Sequence, residues 1–131
     1  MGSFNNCFLR IVLTTTEVYI MAAGIYNITI EQGATFQRSM TIDEEDTDLD
    51  LTGYSFAGKI RQEKEDTTAM AAFTVVITNA ATGAIQVSMT ATQTSSLAAG
   101  TAYYDIEMTR DSGEVVRLLE GMVDITREMT R

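Results

Sequence analysis

A chain of 131 residues that is 45% hydrophobic and 21% charged is long enough for one domain with its own core. Such a domain buries roughly two-thirds of the surface its unfolded chain exposes, so no disulfide or metal is needed to hold it. The formal charge of −9 argues against nonspecific, phosphate-neutralising nucleic-acid binding, and the absence of histidine excludes His-dependent triads, His general bases and His-ligated zinc. The one cysteine, Cys7, cannot close an internal disulfide, which points to a reducing compartment or a bond to another chain, with a buried inert thiol as the expected state.

Residues 1–21 are apolar with threonine interruptions, and Arg10, Thr14, Thr15, Thr16 and Glu17 keep them from forming a membrane span. They also lack the basic start and unbroken apolar stretch of a signal peptide, so a soluble chain without a removed leader is expected. No clean face emerges there, since Phe8, Val12, Val18 and Ile20 compete with Leu9, Ile11, Leu13 and Tyr19. A strand buried on both sides, or an arm packed on a neighbour, has this pattern.

Residues 25–31 form a second strand, and Gly33 separates it from a third whose one face carries Phe36, Arg38, Met40 and Ile42. Residues 43–50 are acidic at six of eight positions, the composition of a solvated loop. After Gly53, Tyr54, Phe56, Gly58 and Ile60 alternate against Ser55, Ala57, Lys59 and Arg61. A polar turn over 62–67 leads to Phe73, Val75 and Ile77, and a loop at 79–83 returns the chain through Ile85, Val87 and Met89 as a hairpin. Residues 92–99 lose the two-residue period, and predict one helical turn with a Thr or Ser cap and Gly100 as its stop.

The longest alternation comes last. Ala102, Tyr104, Ile106 and Met108 point one way and Tyr103, Asp105, Glu107 and Thr109 the other, before Asp111, Ser112 and Gly113 turn the chain. The return strand keeps Val116 and Leu118 in phase and then shifts to Leu119, Val123 and Ile125, which predicts a β-bulge near Leu118 and Leu119. Tyr104, Ile106, one of those leucines and Val123 belong in the core on this pattern. Seven or eight short strands with at most one helical turn describe an all-β, antiparallel β-sandwich.

Few residues suggest chemistry. Asp105 and Glu107 sit at i and i+2 on a polar strand face, where solvation is the usual role, and no pocket marks them as an acid–base pair. Asp46, Asp48 and Asp50 begin like a calcium loop, but Leu51 stands where the turn glycine belongs and Ala57 where the bidentate glutamate belongs. The eight methionines and five tyrosines suit a partner surface, although Met40, Met89 and Met108 lie on core faces. Met122 and Met129 are less clearly inside. No cofactor, metal or catalytic group is expected.

The segments Gly24-Ile-Tyr-Asn-Ile-Thr-Ile-Glu-Gln-Gly-Ala-Thr-Phe36, Asp50-Leu-Thr-Gly-Tyr54 with Ile60 and Arg61, Gly83-Ala-Ile-Gln-Val87, Leu97 with Ala99 and Gly100, and Tyr104-Asp-Ile-Glu-Met108 before Arg117-Leu-Leu-Glu-Gly121 resemble one family of small tailed-bacteriophage virion domains. These occur in tail, baseplate and fibre-attachment proteins, including the N-termini of baseplate upper proteins. The resemblance covers residues 22–131. It implies an immunoglobulin-like sandwich that is structural, not enzymatic, and that works as a homo-oligomer with other virion proteins, assembled in the host bacterial cytoplasm. Ala98 stands where the family often has proline, so that corner is expected to be softer.

Residues 1–20 have no counterpart in the family and are expected to form an arm or extra strand beside a domain of residues 21–131. The candidate interface residues are Phe8, Leu9, Ile11, Leu13, Tyr19, Tyr103 and Met122. Neither nucleic acid nor membrane is an expected partner. A capsid cement protein is the alternative within the class, and a carbohydrate- or calcium-dependent binding module using Tyr103, Tyr54 and the acidic loop is the alternative outside it.

Overall fold

The computed structural model of the protein describes residues 9–13, 18–21, 24–44, 47–65 and 68–128. Its strands in chain order are β1 (Leu9–Leu13), β2 (Val18–Met21), β3 (Gly24–Ile25), β4 (Ile28–Glu31), β5 (Phe36–Glu44), β6 (Thr47–Asp48), β7 (Ser55–Arg61), β8 (Ala71–Asn79), β9 (Ala84–Met89), β10 (Gly100–Thr109) and β11 (Val115–Thr126). A short 3-10 turn, Ala80–Thr82, lies between β8 and β9, and one helical turn, α1 (Ala91–Ser95), between β9 and β10.

The strands form one curled sheet in the order β2-β1-β5-β9-β8-β7-β10-β11-β3, with β4 also on β11 and β6 on β5. β8 makes the corner. Its first residues pair with β7, Gly58 opposite Phe73, and its remaining residues pair with β9, Val75 opposite Val87. The corner divides the fold into sheet A (β2, β1, β5, β6, β9 and the end of β8) and sheet B (the start of β8, β7, β10, β11, β3 and β4). All pairings are antiparallel except those of β3 and β4 on β11. This connectivity is that of an immunoglobulin-like sandwich, with β1-β5-β9-β8 facing β7-β10-β11.

Both inner faces are apolar apart from Arg38, half-buried on the Phe36 side of β5 with its guanidinium 4.8 Å from the centre of that ring. Sheet A contributes Ile11, Phe36, Met40, Ile42, Ile85, Val87 and Met89, and sheet B contributes Ile60, Ala102, Tyr104, Ile106, Met108, Leu118, Leu119, Val123 and Ile125, all buried. Phe73, at the corner, joins the layers. Its ring lies 5.7 Å from that of Phe36 and 5.9 Å, edge-on, from that of Tyr104. A Cβ at Gly58 would come within 3.0 Å of Phe73, so glycine leaves that ring its place.

The final hairpin follows its sequence pattern closely. Ile106 faces Leu119 while Glu107 faces Arg117, which leaves Leu118 as the extra residue of a bulge and buries both leucines. The turn closes through Arg110 N–H to the Glu114 carbonyl at 2.8 Å, with Gly113 at φ 97°.

Four expectations are revised in detail. The strand over 25–31 is split into β3 and β4, because Tyr26 and Asn27 leave the ladder where Gly121 brings β11 within reach. A Cβ at Gly121 would stand 2.5 Å from the Tyr26 carbonyl oxygen. Helix α1 starts at Ala91 with a capping box between Thr90 and Gln93, and it ends at Ser96. Gly100 is therefore no helix stop, and at φ 129° it opens β10 instead. The 43–50 segment is not a free loop: β5 runs through Glu44, β6 folds back so that Asp43 faces Asp48, and Leu49 is buried. Eleven strands replace seven or eight among the described residues, the extra ones being the split of β3 from β4, the two-residue β6, and the β1–β2 hairpin.

Candidate interaction surface

Period-2 alternation that buries one side of β7, β10 and β11 necessarily presents the other side to solvent, and the register fixes which residues meet there. One cross-strand row is Arg61, Tyr103 and Met122; the next is Lys59, Asp105 and Glu120, continued by Ile25 of β3; a third is Ala57, Glu107 and Arg117. Ile25 is 73% exposed and Met122 45% exposed. Tyr103 is half-buried.

Charge on this face is arranged in a lattice. Asp105 lies 4.0 Å from Arg61 and 3.8 Å from Arg117, and Arg117 lies 3.6 Å from Glu120. Lys64, from the loop after β7, places its ammonium 5.8 Å from the centre of the Tyr103 ring. Four basic side chains, Lys59, Arg61, Lys64 and Arg117, stand among four acidic ones, Asp105, Glu107, Glu120 and Asp124. Lys64 is flanked in its loop by the exposed Glu63 and Glu65, so the face interleaves charges of both signs. Shallow clefts flank the Tyr103–Met122 ridge, one lined by Arg61, Lys64, Asp105 and Arg117, the other by Asn27, Thr29, Thr101 and Asp124.

The parallel edge beside this face has its own anchor. Tyr104 donates its hydroxyl hydrogen to the Tyr26 carbonyl through the gap that Gly121 leaves. Burial, with Tyr26 as a second cause, pushes the Tyr104 phenol well above its ordinary value. Asn27 Oδ1 accepts from Met122 N–H at 2.9 Å, standing in for a backbone acceptor where the ladder is interrupted.

A second polar cluster ties the two sheets together at the other end. Arg110 donates to Glu44 of β5 at 3.2 Å and to the Tyr54 hydroxyl at 3.1 Å, and its Nε faces Glu114 at 3.1 Å. Burial alone draws the guanidinium down, but the Tyr54 hydrogen bond and the Glu44 charge outweigh it and leave the group above its ordinary value. Asp50 is occupied locally: the Thr52 hydroxyl donates to it at 2.7 Å and the Thr52 N–H at 3.0 Å, and these hold its carboxyl below the usual range. No group of three metal-ligating side chains occurs among the described residues, and no described helix is long and apolar enough to cross a membrane.

Of the sequence-predicted interface residues, the fold brings together Tyr103 and Met122. Tyr103 and Met122 are cross-strand neighbours on the outer face of sheet B. Ile11 is fully buried opposite Ile42, inside the chain's own core, where it has no surface for a partner. The backbones of Leu9 and Leu13 pair with Glu44 and Met40, and that of Tyr19 with Val12. Phe8 lies outside the described residues, as does Met129. Ile25 escaped sequence reasoning because its strand reads as core, and Arg110 because its partner Glu44 is 66 residues away.

No family model matches the chain, and no curated protein matches it. Solved structures that resemble it include fibronectin(III)-like modules of CbhA from Clostridium thermocellum, at TM-score 0.45 and 8% identity, over 98% of this chain and 53% of that one. Domains 4 and 5 of the S-layer protein SbsC give 0.44 and 14%, over 92% and 47%. AggA, the major subunit of aggregative adherence fimbriae type I from Escherichia coli, gives 0.38 and 11%, over 98% and 99%. The chain spans about half the length of the first two. The sandwich assignment rests on strand order and register, not on these likenesses.

Proposed function

We propose that the protein is a non-enzymatic structural component of a tailed-phage virion, a tail or baseplate part that attaches subunits or fibres through the outer face of sheet B. The virion role rests on the five ordered sequence segments that resemble phage tail and baseplate domains. The attachment role is carried by one observation: the exposed Ile25 and Met122 on the face that carries Tyr103, set among charges of both signs in which Asp105 is shared by Arg61 and Arg117. Docked faces are enriched in aromatic, methionine and arginine groups and carry a polar rim.

A whole-particle reconstruction of the phage that encodes the chain tests this reading. The expected result is repeated copies in the tail or baseplate with the Tyr103–Met122 ridge against a neighbouring subunit. Copies on the capsid shell would replace it with the cement-protein reading. Absence from purified particles would overturn it and leave the binding-module reading, in which the cleft beside Tyr103 takes a polar ligand such as a glycan.

A further inference from the structure

Strand β8 has two unlike halves. At its start β7 lies on one side, but β7 departs after Phe73, and over 74–79 only β9 pairs with β8. No other described strand takes the vacated side. Among the described residues the backbone groups on that side form an open sheet edge. Natural edges are usually guarded by charge, proline or a bulge. Here Thr74, Val75, Val76, Ile77 and Thr78 contain neither charge nor proline, and the guarding device is a single bulge at Thr78 beside β9. Val76 is 48% exposed.

The adjoining outer face of sheet A is equally unusual for so acidic a chain. Its cross-strand rows are Gln37, Ser88 and Thr74, then Ser39, Gln86 and Val76, then Thr41 and Ala84, none of them charged. These rows bring no like charges together when two copies approach by them.

The edge is also self-complementary. In an antiparallel pair about a two-fold axis at Val76, Thr74 stands opposite Thr78 of the second copy, Val75 opposite Ile77, and Val76 opposite its own equivalent. Threonine–threonine and β-branched pairs are among the favourable cross-strand combinations, and a two-fold contact requires one strand to complement itself.

We propose that β8 is a homotypic docking edge: a second copy of the chain adds its own β8 antiparallel to the free side of residues 74–78, making one sheet continuous through both copies. The contact is shorter than a standard stable interface, so the pair is weak in solution and is reinforced where copies are already held close. It uses a different surface from the sheet B face and holds whether or not the chain belongs to a virion.

Sedimentation equilibrium of the full chain up to about 1 mM, a concentration at which even weak pairs are populated, tests it. The wild type should pass reversibly from monomer to dimer, with amides of 74–78 exchanging more slowly as dimer forms. Val76→Lys and Val76→Glu, each checked for an unchanged melting temperature, should weaken the dimer severalfold, because like charges then stand directly opposite. Mixing the two variants should restore pairing, while Val115→Lys, on sheet B, should leave the wild-type behaviour intact. A wild type that stays monomeric overturns the proposal, as does a dimer indifferent to both substitutions at Val76, or a Lys–Glu mixture that fails to pair.

Discussion

The two sheets share one core but have opposite outer faces. Sheet B carries a lattice in which Asp105 is shared by Arg61 and Arg117 around the Tyr103–Met122 ridge. Sheet A presents threonine, serine and glutamine over the pairing of β5, β9 and β8. The inner faces answer to packing, which fixes phase and register. The outer faces are free of that constraint, and in the function proposed above their difference reflects what meets them. A charge lattice gives orientation and excludes wrong partners, whereas a charge-free edge suits an identical strand.

The largest expected effects lie in the layer that both faces share. Ile106→Ala, at a site 2% exposed, should cost about 2 to 5 kcal/mol in urea unfolding through lost burial and an unfilled cavity. Tyr103→Ala, one residue earlier on the alternate face than Tyr104, should cost much less. If Tyr103→Ala destabilises more than Tyr104→Ala, inside and outside of sheet B are exchanged.

Next come the contacts that hold the parallel edge beside the sheet B face. Gly121→Ala drives a methyl against the Tyr26 carbonyl and should cost about 1 to 3 kcal/mol, the range for overpacking. Tyr104→Phe leaves that carbonyl without its hydroxyl donor, with an expected loss of about 1 to 3 kcal/mol. The folded state holds the Tyr104 proton more tightly than the unfolded chain does. Its contribution is therefore complete below the unfolded phenol value, about pH 10, and declines as pH rises above it. Urea midpoints of the wild type should fall above that pH, and those of Tyr104→Phe should fall less.

The smallest effect separates the lattice from the core. Asp105→Asn removes a partner from both Arg61 and Arg117, yet it should change stability by no more than about 1 kcal/mol, since these charges remain partly hydrated. The difference from wild type should shrink further in high salt. A loss of several kcal/mol would make the lattice a structural device and weaken its assignment to recognition.

Much of sheet B was legible from sequence because its determinants are local. Alternation over 102–109 fixed the phase of β10, and the shift from Leu118 to Leu119 marked the bulge that the register contains. The outer face of sheet A was not legible. Ser39, Gln86 and Val76 become neighbours only once β5, β9 and β8 are known to lie side by side. The same holds for the Tyr104–Tyr26 contact across 78 residues, which no local period announces. Over residues 43–51, charge composition pointed outward while Leu49 and Leu51 entered the core. A count of carboxylates hid the two residues that decide where the chain goes.

The central claim, that the Tyr103–Met122 ridge is a covered face in the assembled state, is tested most directly by oxidative footprinting of the free protein and of the purified particle. In the free chain Met122 should oxidise readily, while the buried Met40, Met89 and Met108 should resist. In the particle, protection of Met122 and Tyr103 together, with Val115 still reactive, is the result the account predicts. Met122 and Tyr103 oxidising as fast in the particle as in free solution would contradict it.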